Sequence, residues 1–306
     1  MGGGVERLQL VRRKFNSGSG SVPRNTGIKL SRGEYIMFVD SDDAIISTAM
    51  EEFYSTATKF NAEVIHCEKF YEASQKNFTT NKNELSIAYN MNDFVNEPVF
   101  LTDNIAERIK NFSLKKLDWT TWLNFIKRDF IIKNNIEFPN VRVCVDSIFF
   151  VYLICLAPNI LRVPIVNYIY RKQPSSVSNF SKLSAEERIR RWGNFFFAGI
   201  NILDDFFNTI PLFKEHTEYK YAVYNVLMSN NEFPINQIYA QIPAYQLDGL
   251  IRRELEKIDD TSALSAFLFS RMNVFKVNLI QQQNLIRQQQ MQIQHLQAQI
   301  QQLKQN

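Results

Sequence analysis

The chain has 306 residues, 45% of them hydrophobic and 22% charged, with 25 Phe, 12 Tyr and a formal net charge of +4. Such a length buries a sizeable core and fills one large domain or two modest ones with a tail. The modest positive balance, with short basic clusters at Arg12–Lys14 and Arg188–Arg191, argues against nucleic acid and fits phosphorylated small molecules or an anionic membrane face. The 3 cysteines, Cys67, Cys144 and Cys155, show no Cys-x-x-Cys spacing and read as free core thiols of a reducing compartment.

Met1–Glu6 holds no apolar signal region, and the longest apolar run, Ile148–Pro158, is too short to span a bilayer. This predicts a cytoplasmic protein and leaves room for peripheral contact with the inner face of a membrane. Leu8–Val11 predicts a short strand, and Phe15–Gly20 a flexible Gly-Ser loop. Ser21 is positioned to cap a helix whose first turn carries Val22, Pro23, Arg24 and Asn25, with Gly33 closing it after Ser31 and Arg32. Free N–H groups of that turn, together with Arg24, favour an anion; the alternative is a surface arginine on a capped helix.

Gly33 to Asp43 reads Gly-Glu-Tyr-Ile-Met-Phe-Val-Asp-Ser-Asp-Asp. The apolar run Tyr35–Val39 suits a strand covered on both faces, opening onto Asp40, Asp42 and Asp43. Carboxylates crowded at a strand end either converge on a hard divalent ion with open positions for phosphate oxygens, or serve in part to cap the next helix. Ser47–Phe60 is an amphipathic helix with Met50, Phe53, Tyr54, Ala57 and Phe60 on one stripe, and Ala62–Cys67 returns as a strand. Strand, helix, strand is the crossover unit of a parallel or mixed sheet. His66 reads as a core histidine.

Tyr71–Asn83 is loop-like, and Asp103–Asn111 predicts a short helix. Asp118–Arg128 places Trp119, Trp122, Leu123 and Ile126 at helical spacing. Asp146, the only charged residue between Arg142 and Arg162, stands at the start of a helix that Pro158 stops. It is either an N-cap or, facing the cleft above the acidic strand end, a general base. Ile160–Tyr170 is extended, and Pro164 argues for an edge strand. Beyond it, Arg171, Lys172 and Ser175–Ser178 form a loop that either contacts a diphosphate or is solvated.

Together these segments resemble a family 2 glycosyltransferase of the GT-A fold, as found in bacterial surface polysaccharide synthesis. Asn16 to Gly27 is similar to the family's Asn-x-Gly-x-x-x-Ala-Arg-Asn-x-Gly segment, with Pro23 where Ala is usual. Gly33 to Asp43 resembles its Gly-Glu-Tyr-Ile-x-Phe-x-Asp-x-Asp-Asp segment nearly residue for residue. Phe138–Phe149 is similar to the stretch holding a Glu-Asp pair, with Val145 where Glu is usual, and Tyr168–Ser178 resembles a Tyr-x-Tyr-Arg ending. The resemblance implies a transfer of sugar from a nucleotide-sugar donor to a glycan or lipid-linked acceptor, metal-dependent and inverting. In it Asp40 and Asp42 hold Mn²⁺ or Mg²⁺, Arg24, Asn25 and Asp40 line the donor, and Asp146 is the catalytic base. It also implies two upstream strands ending in Asp-Asp-Gly-Ser, so the sheet is expected to be N-terminally incomplete. The alternative function is an inactive, glycosyltransferase-like assembly subunit.

After residue 180 the pattern turns helical, with helices expected over Ser184–Ile210, Tyr219–Met228 and Tyr245–Ile258 and a capping box at Ser184 and Glu187. Trp192 and Phe195–Phe197 beside Arg188–Arg191 are read as core packing or membrane contact. In the Gln-rich tail, Met272, Leu279, Ile286, Ile293 and Ile300 recur at one heptad position, with Phe275, Gln282, Gln289, Leu296 and Leu303 at the complementary one, where the two Gln weaken the seam. This predicts a coiled coil and self-association. The expected architecture is therefore α/β: a partial GT-A mixed-sheet domain over 1–180, a helical accessory region over 181–270 and the coil over 271–306.

Overall fold

The computed structural model describes residues 8–73, 79–91, 93–172, 198–229 and 280–297, together with 184, 187, 249 and 268. The chain forms two compact units, Met1–Ile258 and Asp259–Asn306. The first is an α/β body around a mixed sheet, as the alternation of helical and strand patterns predicts.

Its central sheet has the order β1-β7-β3-β8-β6, from β1 (Tyr35–Met37), β3 (Val64–Cys67), β6 (Val99–Phe100), β7 (Asn124–Lys127) and β8 (Ile160–Val163). Only the β3–β8 pairing is parallel; β7 runs antiparallel to both β1 and β3 and separates them. A smaller sheet, β2-β9-β4-β5, comprises β2 (Ala44–Ile45), β4 (Phe70–Ala73), β5 (Ser86–Ala88) and β9 (Tyr168–Arg171). All residues of β3 are buried, as a strand covered on both faces requires.

Helix α1 (Ser21–Leu30) precedes β1, and α2 (Ala49–Phe60) connects β2 to β3. Phe53 and Ala57 of the α2 stripe are buried, while Met50 and Tyr54 stay exposed. The helix ends at Asn61 in the left-handed conformation (φ 49), where Asn is tolerated at a C-terminal cap. Next come α3 (Ile105–Ser113), capped by the Asn104 side chain on the Glu107 N–H at 3.2 Å, α4 (Arg128–Lys133) and α5 (Val145–Leu156). Apolar nearly all round, α5 is a core helix. Arg108, 1% exposed, donates to the carbonyl oxygens of Ile154 and Ala157 at 3.1 and 2.7 Å, satisfying acceptors that the C-terminus of α5 cannot satisfy itself.

Several sequence expectations are corrected. Leu8–Val11 forms no strand; it lies unpaired with Leu8 and Leu10 exposed, and β1 is an edge of its sheet among the described residues. The helix expected over Asp118–Arg128 is instead a short 3₁₀ turn, Thr121–Leu123, followed by β7. Phe125 and Ile126 point to opposite faces and both are buried, a demand that only a central strand makes. Trp119 and Trp122 consequently do not lie on one helix face: Trp119 meets Phe112, and Trp122 meets Phe70, Tyr168 and Tyr170. Pro164 does not mark an edge strand. It ends β8, which lies inside its sheet, and the chain passes to the other sheet as β9. The loop expected over Tyr71–Asn83 begins with the end of β4. The strand after Gly33 stops at Met37, leaving Val39 46% exposed.

Helices α6 (Ile200–Phe207), α7 (Pro211–Glu215) and α8 (Glu218–Ser229) complete the described part of the first unit. α8 packs on α3, Tyr152 of α5 meets Phe206, and Lys220 pairs with Asp204 at 3.0 Å. The Ser184 hydroxyl accepts the Glu187 N–H at 3.2 Å. Arg188–Arg191, Trp192, Phe195–Phe197, Ser175–Ser178 and the Tyr245–Ile258 helix apart from Gly249 lie outside the described residues. In the second unit, residues 280–297 form one helix, α9, with every side chain exposed, including Ile286, Ile293 and Leu296. Met272, Phe275, Leu279, Ile300 and Leu303 lie outside the described residues.

Candidate active site

Past β1 the chain enters a turn in which the Asp43 N–H donates to the Asp40 carbonyl at 3.0 Å. Asp43 does not cap α2, whose N-cap is Thr48. Its carboxylate accepts the Tyr168 hydroxyl at 2.7 Å and the Arg171 N–H at 2.8 Å. Burial pushes its pKa up, against the lowering effect of those two donors; the neighbouring charges of Asp42 and Asp40 push it up further. The Asp42 carboxylate has no partner among the described residues.

Ahead of α1, the Gly-Ser loop is a series of tight turns, with Gly18 at φ 74 and its N–H donating to the Asn16 side chain at 2.8 Å. Gly20 is the N-cap, and Ser21 is already helical, its hydroxyl donating to the Pro139 carbonyl at 2.7 Å. Asn25 is engaged at both ends by the main chain of Phe138: its Nδ2 donates to the carbonyl at 3.0 Å and its Oδ1 accepts the N–H at 2.8 Å. Phe138 stacks on Phe149 of α5 at 3.9 Å. These contacts dock the first turn of α1 against the segment that leads into α5.

Arg24 projects from the docked turn over the Phe138 ring, with its guanidinium carbon 5.2 Å from the ring centroid. Its Nη2 donates to Asp40 Oδ1 at 2.9 Å and its Nη1 to Asp146 Oδ1. Burial would lower the pKa of this guanidinium, but the two carboxylates outweigh it and raise the value. Asp146 is the second residue of α5 rather than its N-cap, a position held by Cys144 in the left-handed conformation at φ 60. The Thr121 hydroxyl also donates to Asp146 Oδ1, at 2.9 Å. Oδ2 has no partner among the described residues.

Behind Thr121 lies a buried polar relay. Asn124 Nδ2 donates to the carbonyls of Thr120 and Thr121, so its Oδ1 faces His66 Nδ1 at 2.9 Å and that nitrogen carries the proton. Burial depresses the His66 pKa and holds the ring neutral. His66 is thus a core residue, though its Nε2 is buried without a partner. Cys67 and Cys155 are likewise buried free thiols; Cys144, expected in the core, is only half-buried.

The structure therefore brings Arg24, Asp40 and Asp146 into one ion-paired group, with Asp42 on the adjoining turn and Asn25 turned to the Phe138 main chain. Thr121 and Tyr168, which fix the two carboxylate elements, are the residues that sequence reasoning missed in these roles. A cavity of about 820 Å³ runs along the other side of α1 and is lined by Gln9, Val11, Pro23, Thr26 and Leu30 among others, with none of the site residues. Among the described residues, no group of three or more His, Cys, Asp or Glu is gathered to hold a metal.

Residues 4–147 match the model of Glycosyl transferase family 2, a stretch that holds Arg24, Asp40, Asp42 and Asp146. This part of the chain is similar to glycosyl transferase family 2. Among curated relatives, it is 48% identical over 52 residues to poly(ribitol-phosphate) beta-N-acetylglucosaminyltransferase TarP of Staphylococcus aureus, covering 17% of this chain and 16% of TarP. It is 27% identical over 177 residues to the uncharacterized glycosyltransferase EpsJ of Bacillus subtilis, covering 57% of this chain and 48% of EpsJ. The chain thus spans less than half the length of these relatives. The fold is similar to the solved structure of S. aureus TarS 1-349 in complex with UDP-GlcNAc, with TM-score 0.56 and 16% identity over 78% of this chain and 61% of that one. The likeness to TarS is one of fold, a mixed-sheet α/β body.

Proposed function

We propose that the chain is a glycosyltransferase that moves a sugar from a UDP-linked donor to a surface polysaccharide or lipid-linked acceptor, by a metal-dependent inverting displacement. The observation that carries this reading is the Arg24 bridge, which sets a donor-side carboxylate, Asp40, and an acceptor-side carboxylate, Asp146, on one guanidinium. The TarP and TarS likenesses support a UDP-sugar donor and make UDP-N-acetylglucosamine the first to test.

Two carboxylates within one turn fit Mn²⁺ or Mg²⁺, which take one or two carboxylates and complete their shell with phosphate oxygens and water. The partnerless Asp42 carboxylate is a ready ligand, and Asp40 is the second. When bound, the ion supplies positive charge against the departing diphosphate. Arg24 lies beside Asp40 with its charge fixed, and is placed to pair with a phosphate oxygen. Asp146 has its Oδ1 held by Arg24 and Thr121, which leaves Oδ2 to take the proton of the acceptor hydroxyl. The acceptor oxygen forms the new bond at the anomeric carbon as the bond to the diphosphate breaks, and the nucleoside diphosphate leaves from the opposite side. Asn25 serves this site indirectly, by docking the turn that carries Arg24.

The exposed heptad residues of α9 support self-association through the tail. Among the described residues no helix is long and apolar enough to cross a membrane, and peripheral contact through residues 188–197 remains part of this proposal. Calorimetric titration of UDP-sugars with Mn²⁺ tests the central reading: no binding of any UDP-sugar, with or without the ion, would refute it. Sedimentation equilibrium tests the tail, with a monomer mass at micromolar concentration counting against it.

A further inference from the structure

Tyr168 is 2% exposed, and its ring stacks on Trp122 at 4.0 Å and 12°. Its hydroxyl accepts the Asp40 N–H at 3.1 Å and donates to Asp43 Oδ2 at 2.7 Å. The roles are fixed, because an N–H can only donate and the hydroxyl proton must then lie toward the carboxylate. The other oxygen of Asp43 accepts the Arg171 N–H at 2.8 Å, so both Asp43 oxygens are taken by donors from β9. The Asp42 carboxylate carries no such tether. Pairing of Ala44 with Ile169 and of Ile45 with Tyr168 continues the same clamp into β2.

From this we infer that Tyr168 is a positioning residue for the donor side of the site: its hydroxyl sets the turn that presents Asp40 and Asp42, and Asp43 is the anchor of that turn, not a ligand. The inference rests on the donor reading proposed above. A buried ring stacked against Trp122 has little rotational freedom, so the hydroxyl acts as a rigid strut between β9 and the turn. Trp122 follows Thr121, which donates to Asp146. One 3₁₀ turn therefore braces the donor-side carboxylates through a ring and the acceptor-side carboxylate through a hydroxyl.

The test is Tyr168→Phe in the full chain, which keeps the stacking ring and removes both hydrogen bonds. Amide hydrogen exchange at Asp40 should accelerate about tenfold or more while the amides of β3 and β7 keep their protection. The Kd for UDP-sugar with Mn²⁺ should rise about tenfold. Asp43→Asn, which keeps an acceptor oxygen, should weaken Mn²⁺ binding much less than Asp42→Asn does. Unchanged exchange at Asp40 overturns the strut whatever the donor does, and exchange rising equally in β3 and β7 overturns it as plain destabilisation. If Asp43→Asn removes Mn²⁺ binding as fully as Asp42→Asn, Asp43 is a ligand and the inference falls. Should the wild-type chain bind no donor while the Asp40 amide still accelerates in Tyr168→Phe, the donor reading fails and the strut stands.

Discussion

Replacing Arg24 with Gln separates two duties that the structure gives to one guanidinium. The side chain is 17% exposed, against 40% for Asp40 and 34% for Asp146. A desolvated charge-assisted hydrogen bond contributes about 1.5–3 kcal/mol and an exposed pair at most about 1, so about 1 kcal/mol per contact is the discounted figure. Losing both contacts should cost about 2 kcal/mol, or a fall in Tm of about 4–8 °C for a body of this size. Binding of Mn²⁺ alone should move the other way. On the proposed metal reading the ion displaces Arg24 from Asp40, so Arg24→Gln should bind free Mn²⁺ about fivefold more tightly. On the same reading the UDP-sugar loses a cation facing its diphosphate and should bind about tenfold more weakly at saturating Mn²⁺. Thermal melts and calorimetry with the ion alone, then with donor, read all three quantities. Weaker or unchanged Mn²⁺ binding would refute the idea that Arg24 stands in for the ion at Asp40.

Further outcomes follow from individual contacts. Asp42→Asn should weaken Mn²⁺-dependent donor binding, whereas Asp146→Asn should leave donor affinity within about twofold and lower turnover about 10²–10⁴-fold; full activity of the latter would remove Asp146 as the base. Arg108→Leu should cost about 3 kcal/mol in chemical denaturation, since it strands the carbonyls of Ile154 and Ala157 in the interior, and a loss under 1 kcal/mol would refute that account. His66 has a folded pKa below its ordinary 6.5, so the unfolded chain binds the extra proton first and stability is lost as pH falls below that value. Stability should therefore fall as pH is lowered from 7.5 to 5.5, and denaturation of His66→Gln should lack that fall.

Much of the site was legible because its residues are recognisable by local pattern. Asp40 and Asp42 close an apolar run, Arg24 sits in the first turn of a helix opened by a Gly-Ser loop, and Asp146 is an isolated charge entering a buried helix. Each carries chemistry that local neighbours do not explain, which is what made them candidates. The failures have a common physical origin. Asp118–Arg128 places its aromatics where a helix would use them, yet the sheet needed a strand between β1 and β3, and tertiary pairing overrode the spacing. Leu8–Val11 has the composition of a strand but no paired neighbour among the described residues, and an unpaired strand has little to hold it. Pro164 correctly signalled an interruption; what it interrupts is the passage from one sheet to the other.

That single misread segment accounts for what was missed in the site itself. As a helix, residues 118–128 would spread Thr121 and Trp122 about 100° apart around an axis, with no reason for either to meet the acidic groups. As a 3₁₀ turn leading into a central strand, the same two residues face the two halves of the site at once, Thr121 on Asp146 and Trp122 on the ring of Tyr168. Neither a threonine nor a tryptophan announces such a task by type, since hydroxyls and rings are common everywhere in a core. Their roles arise from the pairing of β7 with β1 and β3, a long-range choice that places the turn directly behind the carboxylates. Support for the candidate chemistry thus depends on sheet order, and a substitution that shifts the register of β7 should disturb Asp40 and Asp146 together although it touches neither.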